Sequence, residues 1–278
     1  MEWQLIVPGE KDWASSGVEE AREVRLKAGQ PVTVIKPAGV WRGRHALTAG
    51  EVTQAAQALC GHEMAARQRE LSEGFLPLPG GHRLGVCGVM GPCGLREITS
   101  LCVRLAHEAK GAGERLFPLI RGFSVLIAGP PGAGKTTLLR DLARLYSLDG
   151  MAVGIADERG EIAACREGMP QLDVGPMTDV VTGMDKGKGL LLLLRSMAPQ
   201  VVAADEIGGP GDAAAIGEAL RCGVIVLASI HGRKLEDIRK RGGMEGLLGP
   251  GAFERIVCLE TVGKRPRVLC WNGEEMEG

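Results

Sequence analysis

The chain has 278 residues, 45% of them hydrophobic and only 3% aromatic, and its formal net charge is −1. That suffices for a sizeable core and one or two domains. The near-neutral charge and the scarcity of aromatics speak against a nucleic-acid platform. Eight cysteines, none in CxxC spacing, speak against a zinc site and for a reducing, cytoplasmic setting. The start, Met1-Glu-Trp-Gln-Leu-Ile-Val, lacks the basic and apolar regions of a signal peptide. The longest apolar run, Leu190 to Leu194, falls far short of the roughly 20 residues that span a bilayer.

In chain order, residues 1 to about 110 read as a mixed α/β module. Val18 to Arg22 starts as a short helical turn. Glu23–Ala28 and Pro31–Lys36 alternate apolar with polar residues and read as a hairpin around Gly29-Gln30. Thr48 with Glu51 forms a capping-box pattern ahead of a helical face of Val52, Ala55, Ala56 and Leu59. A second helix is expected over His62 to Leu71. Phe75 to Pro79 and His82 to Val89 read as strands around Gly80-Gly81, Pro92 to Arg96 as a loop, and Ile98 to Ala106 as a strand carrying Arg104. Cysteines in such runs (Cys87, Cys102, Cys258, Cys270) are expected to pack as small core residues. Gly111-Ala-Gly113 marks the expected boundary, giving domains 1–112 and 113–278.

Beyond it, strands alternate with helices, which implies a parallel sheet. The apolar run Phe123 to Ala128 leads into GPPGAGKTT at 129–137, and Leu138 to Tyr146 then has a helical pattern. Strand, glycine loop and helix follow in the order of a phosphate-binding P-loop. Gly129, Pro130, Pro131, Gly132, Ala133 and Gly134 supply the tight turn whose N–H groups face one concavity. Lys135 supplies a cation for the β- and γ-phosphates, Thr136 a hydroxyl for Mg²⁺, and Thr137 completes the motif. A strand at Met151 to Ala156 follows, then a loop-rich segment to about Asp185 and a helix over Gly189 to Met197, its leucines read as core. Gln200 to Ala204 is a strand, Ala213 to Leu220 a helix, Val224 to Ala228 a buried strand and Lys234 to Arg241 a charged helix. Arg255 to Glu260 and Arg267 to Trp271 close the sheet, and 272–278 is a polar end.

Three strand ends carry acids or a histidine. Asp205, after an apolar strand, suits the Mg²⁺ shell beside Thr136, and Glu206 suits a general base; an acidic pair capping the next loop is the plainer alternative. Asp157-Glu158-Arg159-Gly160-Glu161 ends a neighbouring strand and either helps order the attacking water or forms a solvated turn. His231, just past a buried strand, either senses the γ-phosphate or is structural. A whole strand lies between the P-loop and the acids, as in RecA-like ATPases, and no NKxD-like guanine reader follows, so the nucleotide is expected to be ATP.

GPPGAGKTT, DERGEIA (157–163), QLDVG (171–175), LLRSMAP (193–199), VVAADEIGG (201–209) and ASIHG (228–232) together resemble the stage III sporulation protein AA family, as do GFLPLPGGHRLGVCG (74–88) and SLCVRLAHE (100–108). That family is similar to the secretion-ATPase superfamily of type II and type IV secretion and pilus motors. The resemblance implies that Asp157, Glu158 and Glu161 form an Asp box and His231 a His box. It also implies a homohexameric ring in which arginines of the N-terminal domain, here Arg83 and Arg104, reach a neighbour's nucleotide; ordinary strand-edge arginines remain the other reading. Arg195 could instead make a structural or inter-subunit contact. The chain departs from the family pattern in two places: at Met177, where an arginine is expected, and at Ser229-Ile230, where Thr-Ala is more usual.

The expected fold class is therefore α/β: a RecA-like P-loop NTPase domain with a parallel sheet, preceded by a smaller mixed α/β domain. The expected activity is ATP hydrolysis with Mg²⁺ by the motor of a secretion-like channel in sporulation, between mother cell and forespore. The catalytic set is Glu206, Glu158, Glu161, His231, Arg83 and Arg104, and the metal pair is Thr136 and Asp205. The resemblance implies membrane-embedded channel components as partners. The protein itself is expected in the cytoplasm, at most peripheral to the inner face of the membrane. The rival readings are a nucleic-acid-stimulated RecA-like ATPase and an ATP-binding scaffold with little turnover.

Overall fold

The computed structural model describes residues 1–60, 75–91, 94–106, 110–232, 252–260, 266–270 and 274–275. The chain divides into two compact units, residues 1–107 and 108–278. The helices expected at His62–Leu71 and Lys234–Arg241 lie outside the described residues.

In the first unit, two short helices, α1 (Trp3–Ile6) and α2 (Trp13–Ser16), precede strands β1 (Glu23–Lys27), β2 (Pro31–Lys36) and β3 (Gly39–Ala46). Helix α3 (Ala49–Leu59) and strands β4 (Phe75–Pro77), β5 (Arg83–Gly91) and β6 (Gly94–Arg104) follow. The strands form one antiparallel sheet in the order β3-β2-β1-β6-β5-β4. Strict alternation turns Val24, Leu26, Val34, Leu84 and Val103 inward. They meet the predicted α3 face of Val52, Ala55, Ala56 and Leu59, and also Trp3 and Trp13, whose rings stack 5.5 Å apart. The α3 capping box is complete: Thr48 Oγ1 accepts from Glu51 N at 3.2 Å, and Glu51 Oε2 accepts from Thr48 N at 2.8 Å.

Three expectations need correcting here. β3 went unread because its charged outer positions and isolated Val40 and Trp41 give no apolar stripe; the outer half of this hairpin is solvent-facing. Leu95 and Arg96 belong to β6 rather than to a loop, since Leu95 pairs with Met90 and bulges in β6, at Arg96 and Thr99, absorb the register shifts. Cys87 is exposed, because it falls on the outer face of β5, whereas Cys102, Cys258 and Cys270 are half-buried.

The second unit contains α4 (Phe117–Ile120), β7 (Val125–Gly129), α5 (Lys135–Leu148), β8 (Val153–Asp157), β9 (Thr178–Thr182) and α6 (Lys186–Ser196). It continues with β10 (Val201–Ala204), α7 (Pro210–Arg221), β11 (Ile225–His231), β12 (Arg255–Cys258) and β13 (Arg267–Cys270). The sheet order is β13-β12-β7-β11-β10-β8-β9, parallel throughout except for the β12–β13 pair. Helices cover both faces, so the central strands are continuously apolar. On one face Val125, Ile127, Ile155, Ala203 and Leu227 pack on Leu139, Leu142 and Tyr146 of α5. On the other Leu126, Val202, Val226 and Ile256 pack on Leu190 and Leu193 of α6 and Ile216 of α7. Leu192 is exposed, so the α6 leucines are not all core. β9, within a segment read as loop, is a short half-exposed edge strand on β8. β11 runs on through Ser229 to His231, because Ile230 and His231 pair with Ala128 and Gly129.

Candidate nucleotide site

The parallel sheet sets the ends of β7, β11, β10 and β8 side by side, and every strand end that sequence singles out in this unit lies along that edge. The turn at 130–134 joins β7 to α5. Gly132 and Gly134 hold φ of +74° and +93°, and a Cβ on Gly129 would stand 2.7 Å from the Leu259 carbonyl oxygen. Conformation demands glycine at the first two, and close backbone approach demands it at the third.

Lys135 opens α5 with a residue exposure of 5%. Its Nζ donates to the Pro130 carbonyl at 3.0 Å and lies 3.1 Å from His231 Nδ1. With Nδ1 accepting, His231 carries its proton on Nε2 and donates it to Glu206 Oε1 at 2.7 Å. Arg159 Nη1 meets the other oxygen, Oε2, at 2.9 Å. Lys135, His231, Glu206 and Arg159 thus form one chain of alternating charge and dipole. Burial pulls the Lys135 ammonium below the usual lysine range, against the opposing pull of Asp205 and Glu206.

Thr136 Oγ1 donates to Asp205 Oδ2 at 2.5 Å. Ser229, fully buried in β11, donates to Asp205 Oδ1 and accepts from Glu206 N at 2.9 Å. Glu206 itself holds a φ of +53°, a left-handed conformation costing a β-carbon residue about 1–3 kcal/mol. The departure at Ser229 thereby resolves: the position needs a hydroxyl, which serine provides as threonine would. Met177 keeps only backbone ties, donating from N to Ser147 Oγ at 2.7 Å, with an exposed side chain.

The acidic stretch after β8 divides its labour. Asp157 is buried and accepts from the amides of Glu161, Ile162 and Ala163, so it closes the loop. Arg140 of α5 braces that loop from below, donating to the Ile162 and Glu161 carbonyls. Glu158 Oε2 pairs with Lys186 Nζ at 3.1 Å. Glu158, Glu161, Arg159, Lys186, Asp205 and Glu206 line one small pocket. In the first unit, Arg83 and Arg104 are directly opposed on β5 and β6, and Glu23 opposes Arg104 from β1. Burial would raise the Glu23 carboxyl, yet hydrogen bonds from Cys102 and Arg25 and the charges of Arg25 and Arg104 hold it below its usual range. Arg195 is exposed on α6.

Sequence reasoning missed Arg140, Ser229 as a link, and Lys186. Only Ser229 had a signal, a hydroxyl in an otherwise apolar strand. Thr136 and Asp205 offer adjacent hard oxygens, and no cluster of three or more His, Cys, Asp or Glu that could hold a metal occurs among the described residues. That donor set fits Mg²⁺, which keeps waters and takes phosphate oxygens, better than a metal held by protein alone.

A family model for sporulation stage III protein AA matches residues 12–275. The chain belongs to the stage III sporulation protein AA family. It is similar to stage III sporulation protein AA of Bacillus subtilis (strain 168), 39% identical over 253 residues, covering 86% of this chain and 82% of that protein. The solved structure of the pilus retraction motor PilT with bound ADP is similar in fold, with a TM-score of 0.62 at 14% identity over 93% of this chain and 80% of that one. The ATPase DotB of Legionella pneumophila gives 0.61 at 15% identity over 90% and 77%. At these identities the likeness carries the fold, and this stage III AA chain shares it. No helix among its described residues is long and apolar enough to cross a membrane.

Proposed function

We propose that this protein is an ATP-hydrolysing motor acting on a secretion-like channel during sporulation. The observation that carries the reading is the contact of Thr136 with Asp205 beside the Lys135–His231–Glu206 chain, all at the end of one glycine loop. The loop amides of Gly129 to Thr137 and the N-terminus of α5 would cradle the phosphates, and Lys135 would take the β- and γ-phosphate charge. Thr136 and Asp205 would hold Mg²⁺, which screens the charge on the transferring phosphoryl group when bound. Glu206 takes the proton of the attacking water, and His231 relays its position to Lys135. Glu158 and Glu161 add acid character to the same pocket. Arg83 and Arg104 act on a neighbouring subunit's nucleotide in a homohexameric ring, and hydrolysis moves the domain 1–112 against 113–278. Membrane-embedded channel components receive the work.

Family membership supports the sporulation setting, and the fold shared with a pilus retraction motor and an ATPase supports the activity. The test pairs nucleotide binding with phosphate release. Lys135→Ala is expected to weaken Mg·ATP binding and hydrolysis by about 10²-fold or more. Glu206→Gln is expected to keep binding and lose about 10²–10⁴-fold in turnover. Unchanged hydrolysis in Lys135→Ala overturns the reading; unchanged biological function in Glu206→Gln leaves only an ATP-binding scaffold.

A further inference from the structure

Lys186 opens α6 directly after Asp185, whose side chain caps that helix by accepting from Lys188 N at 3.1 Å. The Lys186 side chain is only 14% exposed. Its ammonium meets three other elements at once. It lies 3.1 Å from Glu158 Oε2 after β8, 3.2 Å from the Glu206 carbonyl oxygen after β10, and 3.9 Å from Asp212 Oδ2 in the first turn of α7. Asp212 Oδ2 in turn accepts from the amides of Gly208 and Gly209, at 2.9 and 3.1 Å. The segment 206–209 is therefore fastened at both ends of its peptide groups. Ser229 and Asp212 take its amides, while Lys186 takes the carbonyl of the residue whose backbone is left-handed.

A glutamate keeps φ near +53° only where its surroundings over-determine it. Ser229 Oγ and Asp205 Oδ1 accept from the Glu206 amide at 2.9 and 3.1 Å, the Ser229 carbonyl accepts from Ile207 N at 2.9 Å, and Lys186 donates to the carbonyl of the same Glu206–Ile207 peptide group at 3.2 Å. We propose that Lys186 is a positioning residue of the hydrolysis site: it pins Glu206 in its left-handed conformation and draws Glu158 to the same ammonium. A side chain held this way reaches Glu206 through the backbone, so its loss misplaces the carboxylate without touching the glycine loop. The inference rests on Glu206 acting as the base.

The experiment uses the full chain and reads hydrogen exchange by mass spectrometry without nucleotide, alongside steady-state hydrolysis. In Lys186→Met, the amides of 206–209 are expected to exchange about 10-fold faster or more, while those of 125–129 stay as in the wild type. Lys186→Arg is expected to restore most of the protection. kcat is expected to fall about 10- to 100-fold with the KM for ATP within about threefold, as for a misplaced rather than a missing group. A thermal-unfolding cycle with Glu158→Gln is expected to show coupling, the double variant losing less than the two single losses added. Should Lys186→Met not fold, Lys186→Gln carries the comparison, with shifts in the same direction.

Wild-type protection over 206–209 in both neutral variants overturns the proposal, as does a loss carried wholly by KM. If the wild type itself fails to hydrolyse ATP, the motor reading falls, and the exchange and coupling arms still decide whether Lys186 holds this segment.

Discussion

Lys135 is a buried cation, and its burial opposes stability. Its burial lowers the folded ammonium's pKa below the unfolded value, near 10.4 for an ordinary lysine. Below the folded pKa the lysine is charged in both states, and the full cost of burying it is present. Between the folded and unfolded values the unfolded chain binds more protons, so stability rises with pH. The wild type is therefore expected to gain thermal stability relative to Lys135→Met as pH rises toward 10, as read by paired melts; a difference that is flat or moves the other way would refute it. The lysine itself was legible, because the spacing of glycine, lysine and threonine fixes its neighbours within a few residues. Asp205, Glu206 and His231 were legible because each ends an apolar strand, and parallel strands present their ends along one edge. The grips of Lys186, Arg159 and Ser229 were not, since each joins residues distant in sequence, and the motifs that contain Arg159 and Ser229 do not show which side chains those two meet.

At the scale of elements, the legible ones were those with a strong period or a local chemical signature. The α3 helix carries both, a four-residue apolar face and a capping box whose two hydrogen bonds are formed. Thr48→Ala removes the acceptor of the Glu51 amide and one hydroxyl bond to the Glu51 carboxylate, which the Thr48 amide, above all, and His45 still hold below its usual range against burial. That variant is expected to lose about 0.5–2 kcal/mol in urea unfolding of the full chain; a loss under about 0.3 kcal/mol would show that tertiary packing alone sets the helix start. The elements that escaped were edges. β3 and β9 each lie at one side of a sheet and face solvent, so the alternation that marks an inner strand is diluted by polar residues. The β5–β6 ladder escaped in part because its bulges break the two-residue period just where Gly88 and Met90 shift register.

For the whole molecule, the motor reading predicts self-association. Light scattering with and without Mg·ATP is expected to show a nucleotide-favoured assembly, with specific activity rising with protein concentration. Arg83→Ala and Arg104→Ala are each expected to lower that activity at least about tenfold, as an arginine acting in trans would; a monomer whose activity ignores dilution would remove the ring and the trans arginines together. The order of strands has a separate outcome for synthesis on the ribosome. The antiparallel sheet is closed once β6 pairs with β1, all within the first 104 residues. By contrast β7 is flanked by β11 and β12, which emerge only at residues 225–231 and 255–258. An apolar strand and its glycine turn must therefore wait bare while most of the remaining chain is translated. The nascent protein would hold a finished amino-terminal unit and a sticky, unfinished remainder, the condition in which chaperone capture matters most.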